Sequence, residues 1–216
     1  MCDDRYGIEY GVRVKTQRAE VVRKFRDSLL MKSFRFLVLM CALSVTAVND
    51  SAAARDRDYW VLVDTQKMVL SVLEANKVRK TFDRISIGRA GAALNKKSGD
   101  NRTPLGEFRL VRITSDSSFH RFFGIDYPTV AHARRAYRAG VIDSEDYAAI
   151  FNASRTGAVP PQTTPLGGNI GIHGIGSGDP KVHDEFNWTQ GCIALTNRQI
   201  DDLSRWVYLG MRVVIR

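Results

Sequence analysis

The chain has 216 residues, a length that suits one globular domain plus a shorter segment. It carries 32 Lys and Arg against 23 Asp and Glu, a formal net charge of +9, so anionic polymers attract it. Nucleic acid is excluded as a predicted partner, because the sequence has no helix-turn-helix, zinc-finger or RNA-binding signature.

An export signal is predicted in the first quarter of the chain. Lys32 and Arg35 precede an apolar run over 36–48, and small residues follow at 51–54, which is the order of a secretory signal peptide. The run is shorter than the roughly 20 residues that span a bilayer, which favours cleavage over a permanent anchor. We therefore predict an N-terminal extension and signal peptide over 1–54, with Met31 as an alternative start.

The predicted mature domain covers 55–216 and is expected in the periplasm or cell envelope, meeting the membrane only transiently through the signal peptide. Residues 1–54 hold 9 Lys and Arg and 6 Asp and Glu, so the mature domain keeps a net charge of +6. They also hold two of the three cysteines, which leaves Cys192 as the only thiol. An unpaired cysteine in an oxidising compartment is prone to oxidation, so it is expected either to be well buried or to function through its reactivity.

The mature domain is predicted to be mainly β, and its elements follow in chain order. Strands are predicted over 59–64, 67–73 and 78–87, then a long loop over 88–103, then a strand over 106–113 with Phe108, Leu110 and Ile113 as its apolar positions. Two short helices are predicted over 129–139 and 144–151, and three prolines exclude regular structure from 160 to 169.

The C-terminal part is predicted to alternate strands with one helix. Strands cover 170–173 and 192–195, and a T-x-x-Q capping box at Thr196 and Gln199 begins a helix that ends at Gly210. The apolar face of this helix is formed by Ile200, Leu203, Trp206 and Val207. After a last strand over 211–215, the predicted architecture is a mixed β-sandwich with a two-helix insertion, in which 118–168 form a lid, and one C-terminal helix before the last strand.

His173 and Cys192 are the residues most suited to chemistry. A thiol is mostly protonated at neutral pH, so a cysteine nucleophile needs an imidazole nearby to take its proton. If each residue ends one of two neighbouring strands, they face each other at one sheet edge. The carbonyl of Gly174 is expected to orient the imidazole, and the N–H groups of Gly191 and Cys192 are expected to form an oxyanion hole.

These residues resemble the signature of the YkuD-type L,D-transpeptidases. The matching segments are His173-Gly174, Thr189-Gln190-Gly191-Cys192 and T-P-L-G-E-F over 103–108, and the resemblance runs from 59 to 216. It implies an L,D-transpeptidase-like fold, no cofactor, and attack by Cys192 on the bond between residues three and four of the peptidoglycan stem peptide. The acyl group would then pass to an amine in cell-wall remodelling. The protein is expected to be a monomer.

Two other functions stay open at this point. A hydrolase of the same family, an L,D-carboxypeptidase or cross-link amidase, would pass the acyl group to water. A wall-binding module without catalysis would use Cys192 only as a buried hydrophobic residue.

Other residues of this region have both a functional and a structural interpretation. His173, His183 and Cys192, with Asp184, could ligate a metal, but they lack the tight pairs of usual zinc sites, so no metal is predicted. Substrate contacts are predicted at Thr189, Gln190, Trp188, His183 and His120. The alternatives are a loop residue or competing base for His183, a solvated loop for His120, and packing under the catalytic loop for Trp188.

Overall fold

Residues 58–216 are described by a computed structural model of the chain. The predicted signal peptide, the alternative start at Met31 and the two N-terminal cysteines lie outside the described residues. Within 58–216, no helix combines the length and the apolar character needed to cross a bilayer.

The described part of the chain forms ten strands and four helices. The strands are β1 (Tyr59–Asp64), β2 (Val69–Glu74), β3 (Lys77–Asp83), β4 (Ala92–Ala93), β5 (Thr103–Pro104), β6 (Gly106–Ser117), β7 (His120–Ile125), β8 (Gly171–Gly174), β9 (Ile193–Leu195) and β10 (Arg212–Ile215). The helices are α1 (Val130–Arg138), α2 (Ser144–Thr156), α3 (Pro180–Glu185) and α4 (Asn197–Ser204).

Eight of these strands form one mixed sheet in the order β3-β2-β1-β10-β6-β7-β8-β9. The pairs β1 with β10 and β8 with β9 are parallel, and the other neighbours are antiparallel. The two short strands β4 and β5 pair separately. The prediction of a mixed, strand-dominated fold with helices is confirmed.

The sheet curls so that its two ends approach each other. Ser86, which follows β3 at one end of the strand order, exchanges backbone hydrogen bonds with Ala194 of β9 at the other end, at 3.0 and 2.7 Å. One hydrophobic cluster accordingly includes Leu70 of β2 and Ile193 of β9, both 0% exposed. The curl encloses the core and brings the segment after β3 against the segment that carries Cys192.

The structure corrects the predicted boundaries of the insertion. The range 118–168 was predicted as a lid, but it contains β7, which is paired on both sides within the sheet. Only the part after Ile125 lies outside the sheet, and it carries α1 and α2. Helix α2 also runs five residues further than predicted, to Thr156, where Gly157 ends it in the left-handed conformation.

Three local predictions also need correction. The last helix ends at Ser204, so Trp206 and Val207 follow it, although both still pack against the core. Ile113 is 42% exposed, because a β-bulge in β6 shifts the register after Leu110. His183, for which a loop position was one interpretation, lies in α3 (180–185), where Asp179 accepts a hydrogen bond from the backbone of Lys181 and Pro180 occupies the first turn. The predicted capping box of Thr196 and Gln199 is present.

Candidate active site

Two parallel strands hold the two residues of the predicted catalytic pair. His173 is the third residue of β8 and pairs in register with Ala194, while Cys192 directly precedes β9. Both residues line a cavity of about 830 Å³ on the surface of the domain. The 18 residues between them leave the sheet, form α3 and return along the cavity wall.

The imidazole of His173 is held in one orientation. Its Nδ1 lies 2.7 Å from the carbonyl oxygen of Gly174, and a carbonyl only accepts, so Nδ1 carries the proton and donates it. Nε2 of the neutral ring is therefore left as the proton acceptor. This is the geometry that a general base requires, and the orienting group is a backbone atom instead of a carboxylate.

Aromatic rings enclose the same imidazole. The ring centres of Phe119, Phe122 and Trp188 lie 4.3, 6.2 and 5.8 Å from that of His173, which is 2% exposed. Burial lowers the pKa of His173 below its usual 6.5, with the Gly174 hydrogen bond opposing the shift and the charge of His183 adding to it. His173 is thus neutral, and able to accept a proton, at neutral pH.

The thiol of Cys192 is half-buried, and its Sγ lies 3.5 Å from the carbonyl oxygen of Asn169. Burial raises the pKa of Cys192 to about 11, and the backbone of Gly171 and the charges of Lys96 and Arg112 oppose that shift. The resting pair is therefore a neutral thiol and a neutral imidazole. A thiol that starts from such a pair loses its proton as it reacts, in contrast to a preformed thiolate.

A hydroxyl group holds the turn that precedes the thiol. Thr189 Oγ1 donates to the carbonyl of Cys192 at 2.7 Å and accepts from the Gly191 N–H at 3.1 Å. Gly191 has a φ of +132°, and a Cβ there would lie 2.6 Å from the carbonyl oxygen of Arg102, so only glycine fits. The Gly191 N–H, which the sequence predicts as an oxyanion-hole donor, is bonded to Thr189 in this structure.

The predicted substrate contacts divide into two groups. Trp188, Thr189 and Gln190 line the cavity together with Cys192 and His173. His183 does not, since it is 3% exposed within α3, where its Nδ1 accepts from Trp188 Nε1 at 3.4 Å. His183 therefore contacts the indole N–H of Trp188 and does not face the cavity. This corrects the prediction of His183 as a loop residue or substrate contact.

His120 also lies away from the cavity. Its Nε2 contacts both carboxylate oxygens of Asp201 on α4, at 2.9 and 3.0 Å, and Arg121 binds the same carboxylate. These contacts anchor the β6–β7 hairpin, whose neighbouring residue Phe119 covers His173. The prediction of His120 as a substrate contact needs the same correction. Among residues 58–216, no three His, Cys, Asp or Glu side chains gather as metal ligands would.

Sequence reasoning missed several residues of the cavity wall. They are Lys96, Ser98, Gly99 and Asn101 from the predicted loop, Arg112 and Thr114 from β6, Phe119 and Phe122 near β7, and Asn169. The polar run K-K-S-G-D-N-R over 96–102 was the available signal for the first group. Neither α1 nor α2 contributes a residue to the wall in this structure.

Comparison with known families agrees with this fold. Residues 58–215 match the YkuD family model, described as the L,D-transpeptidase catalytic domain. The chain belongs to the YkuD family. No protein of curated function matches the sequence.

Several solved structures are similar in fold. The helical cell shape determining protein Pgp2 from Campylobacter jejuni is 21% identical, with 76% of this chain and 53% of that chain covered and a TM-score of 0.50. Bd1075 from Bdellovibrio bacteriovorus is 20% identical, with 74% of this chain and 48% of that chain covered and a TM-score of 0.47. An L,D-transpeptidase from Enterococcus faecium is 14% identical, with 74% of this chain and 50% of that chain covered and a TM-score of 0.43. The chain spans about half the length of these proteins. At these identities the likeness concerns the fold alone.

Proposed function

We propose that this chain is an exported L,D-transpeptidase that forms an acyl-enzyme on Cys192 with the peptidoglycan stem peptide and passes it to an amine. One observation carries the proposal. Cys192 and His173 line the same cavity, and the hydrogen bond from His173 Nδ1 to Gly174 leaves Nε2 as the base. Membership of the YkuD family supplies the substrate class.

The proposed reaction begins with a neutral pair. The sulfur of Cys192 attacks the carbonyl carbon of stem residue three, in the bond that joins it to residue four. During this attack the thiol proton moves to His173 Nε2. The C–N bond then breaks, the imidazolium gives that proton to the leaving amine, and a thioester remains. An incoming amine attacks the thioester and loses a proton to His173 Nε2; the C–S bond then breaks, and the imidazolium returns that proton to the sulfur, which restores the resting pair. Gly174 keeps the ring in position through both halves of the reaction.

The negatively charged oxygen of the tetrahedral intermediate needs hydrogen-bond donors in this reaction. The N–H of Cys192 is the proposed donor that follows the turn directly, and the Gly191 N–H becomes a second donor if its bond to Thr189 opens during acylation. The charges of Lys96 and Arg112 favour the same negative state, since both lower the pKa of the thiol. The cavity thus has a positive field where negative charge develops.

A carbapenem tests the nucleophile, because its strained lactam acylates thiols of this kind. We expect one adduct in the intact mass, and peptide mapping should place it on Cys192 and on neither Cys2 nor Cys41. Cys192→Ala should abolish the adduct, and His173→Gln should slow it by at least about a hundredfold, as loss of a general base does. Both variants should keep the far-UV circular dichroism of the parent chain.

Purified muropeptides separate transfer from hydrolysis. With an added D-amino acid, the proposed transferase yields exchanged stems, whereas the alternative L,D-carboxypeptidase or amidase yields shortened stems alone. A wall-binding module without catalysis would bind the muropeptides unchanged, and Cys192→Ala would bind them equally well. Absence of both an adduct and any altered muropeptide would exclude the enzymatic proposal.

A further inference from the structure

The cavity wall is positively charged. Among the described residues that line it, Lys96 and Arg112 are the ionisable side chains with a permanent charge, and no Asp or Glu is present. Such a wall favours an anionic ligand group, and a stem peptide carries carboxylates. Which cation is available to a ligand depends on how each one is already paired.

Lys96 already has an acidic partner. Its side chain is 4% exposed, and its Nζ lies 2.9 Å from Asp100 Oδ1 and 3.2 Å from the carbonyl oxygen of Lys97. Asp100 in turn accepts from the backbone N–H groups of Lys97 and Arg102, at 2.7 and 2.9 Å. Lys96 and Asp100 therefore hold the 96–102 loop in shape, with two of the three ammonium N–H donors engaged within the loop and the charge of Lys96 paired with a carboxylate.

Arg112 has a different environment. Its guanidinium lies 4.7 Å above the ring of Phe122, and none of the ion pairs within 58–216 includes it. Its cross-strand partner is Gly124, where a Cβ would lie 3.3 Å from Arg112 Cβ and 3.5 Å from its Nε. The missing side chain at Gly124 gives the arginine room to lie over the phenylalanine ring.

The position of this arginine relates it to the reacting groups. The Phe122 ring that supports Arg112 is nearly parallel to the imidazole of His173, at an angle of 12°. A planar guanidinium held on a ring presents two parallel N–H groups, the arrangement that binds a carboxylate in a bidentate manner. An arginine that lies over a ring of the cavity wall, and that has no ion-pair partner within 58–216, is therefore a preorganised anion receptor.

We propose that Arg112 binds the C-terminal carboxylate of the stem residue that leaves when Cys192 is acylated. This inference rests on the proposed function for the identity of the peptide. In a tetrapeptide stem the carboxylate follows the scissile bond by one residue, a span of about 3.6 Å, so it reaches the same cavity as the thiol. Arg112 thereby selects stems whose fourth residue is the last, and it disfavours stems that continue beyond it.

Peptide binding to the full chain carrying Cys192→Ala tests this assignment without any turnover. The two probes are a stem tetrapeptide with a free C-terminal carboxylate and the same peptide with a C-terminal carboxamide, each titrated by calorimetry. We expect the acid to bind about tenfold more tightly than the amide, the effect of one charge-assisted hydrogen-bonded pair. Arg112→Gln should reduce this ratio to about one, and Arg112→Lys should retain part of it because the charge remains.

Arg134→Gln is the matched control, since Arg134 is an exposed arginine on α1 that does not line the cavity. It should leave the ratio of the two affinities unchanged. A ratio near one in the Cys192→Ala parent, or a ratio that survives Arg112→Gln, would overturn the assignment, as would failure of both peptides to bind. An Arg112-dependent ratio in a chain whose Cys192 forms no adduct would instead refute the proposed catalysis while leaving Arg112 as a carboxylate-binding residue.

Discussion

The hydroxyl of Thr189 donates a 2.7 Å hydrogen bond to the carbonyl oxygen of Cys192, three residues further along the chain. The same oxygen atom of Thr189 accepts from the N–H of Gly191. One buried side chain thus closes the turn that presents the thiol, while the backbone of Thr189 is bonded to Ile87 and Arg89. We expect the position of the sulfur to depend on this pair of bonds.

Thr189→Val should therefore impair both stability and reactivity. The substitution keeps the shape of the side chain but leaves a carbonyl and an N–H without their partner, at a cost of about 1–3 kcal/mol in the free energy of unfolding. Because the turn loosens, acylation of Cys192 by a carbapenem should slow by about tenfold or more. Thr189→Ser keeps the hydroxyl and is the matched control. An unchanged acylation rate in the valine variant would contradict the positioning role of Thr189.

The pH dependence of acylation should reflect the environment of His173. Burial holds the pKa of this imidazole below 6.5, so the base stays unprotonated as the pH falls past the point where an exposed histidine is half charged. We expect the acid limb of the rate profile to have its inflection below pH 6.5. Stopped-flow measurement of carbapenem acylation from pH 4.5 to 8.5 would locate it, and an inflection above pH 6.5 would contradict the assignment of His173.

Removing a ring from around the imidazole should move that inflection. Phe119 is 39% exposed and its ring lies 4.3 Å from that of His173. Phe119→Ala admits water, which stabilises the imidazolium, so the pKa should rise and the acid limb should move to higher pH. Phe186→Ala is the control, because Phe186 is 62% exposed and does not line the cavity. A shift equal in both variants would argue against a specific contribution from Phe119.

The sequence predicted elements with strong local signals and missed those that depend on tertiary burial. The capping box of Thr196 and Gln199 involves four adjacent residues and was predicted correctly. Strand β7 was missed, since its last four residues, from Phe122 to Ile125, are all buried and give no alternation of apolar and polar positions. The start of α4 was predicted correctly, but its end was predicted too late. Trp206 continues the apolar spacing of the helix, although the helix itself ends at Ser204.

The residues of the candidate site likewise divide into those that local sequence identifies and those that depend on the tertiary structure. His173 and Cys192 lie within one short stretch of sequence, so residue chemistry and spacing were sufficient to select them. Arg112 was not selected, because its place on the cavity wall depends on the β-bulge in β6 and on the space left by Gly124 in the next strand. The engagement of the Gly191 N–H by Thr189 likewise depends on a turn conformation that residue types alone do not determine.

Replacing Gly191 should destabilise the fold, and a control glycine allows the effect of steric clash to be separated from that of backbone strain. Gly191→Ala places a Cβ 2.6 Å from the Arg102 carbonyl oxygen at a φ of +132°, so clash and backbone strain both act. We expect a loss of roughly 2–5 kcal/mol in the free energy of unfolding. Gly140→Ala is the control, with a φ of +65° and no atom near the added methyl group. It should cost only about 1 kcal/mol, and equal losses in urea denaturation would contradict the clash.

His132 should make the fold sensitive to mild acid. Its side chain is 4% exposed, and its Nδ1 and Nε2 lie 2.8 Å from Thr129 Oγ1 and 3.1 Å from the Leu105 carbonyl oxygen. Burial, aided by the nearby charge of Arg135, lowers the pKa of His132 to about 4 from 6.5. As the pH falls, the unfolded chain therefore binds this proton before the folded protein does.

The contribution of a neutral His132 to stability is thus complete above pH 6.5 and is lost progressively down to about pH 4. The size of the loss is about 3 kcal/mol over that interval. His132→Asn removes the titrating group, so its free energy of unfolding should start lower at pH 7 but fall less steeply on acidification. Urea denaturation of both proteins at half-unit steps from pH 7 to 4.5 would give the two slopes, and parallel slopes would show that acid sensitivity arises from other groups.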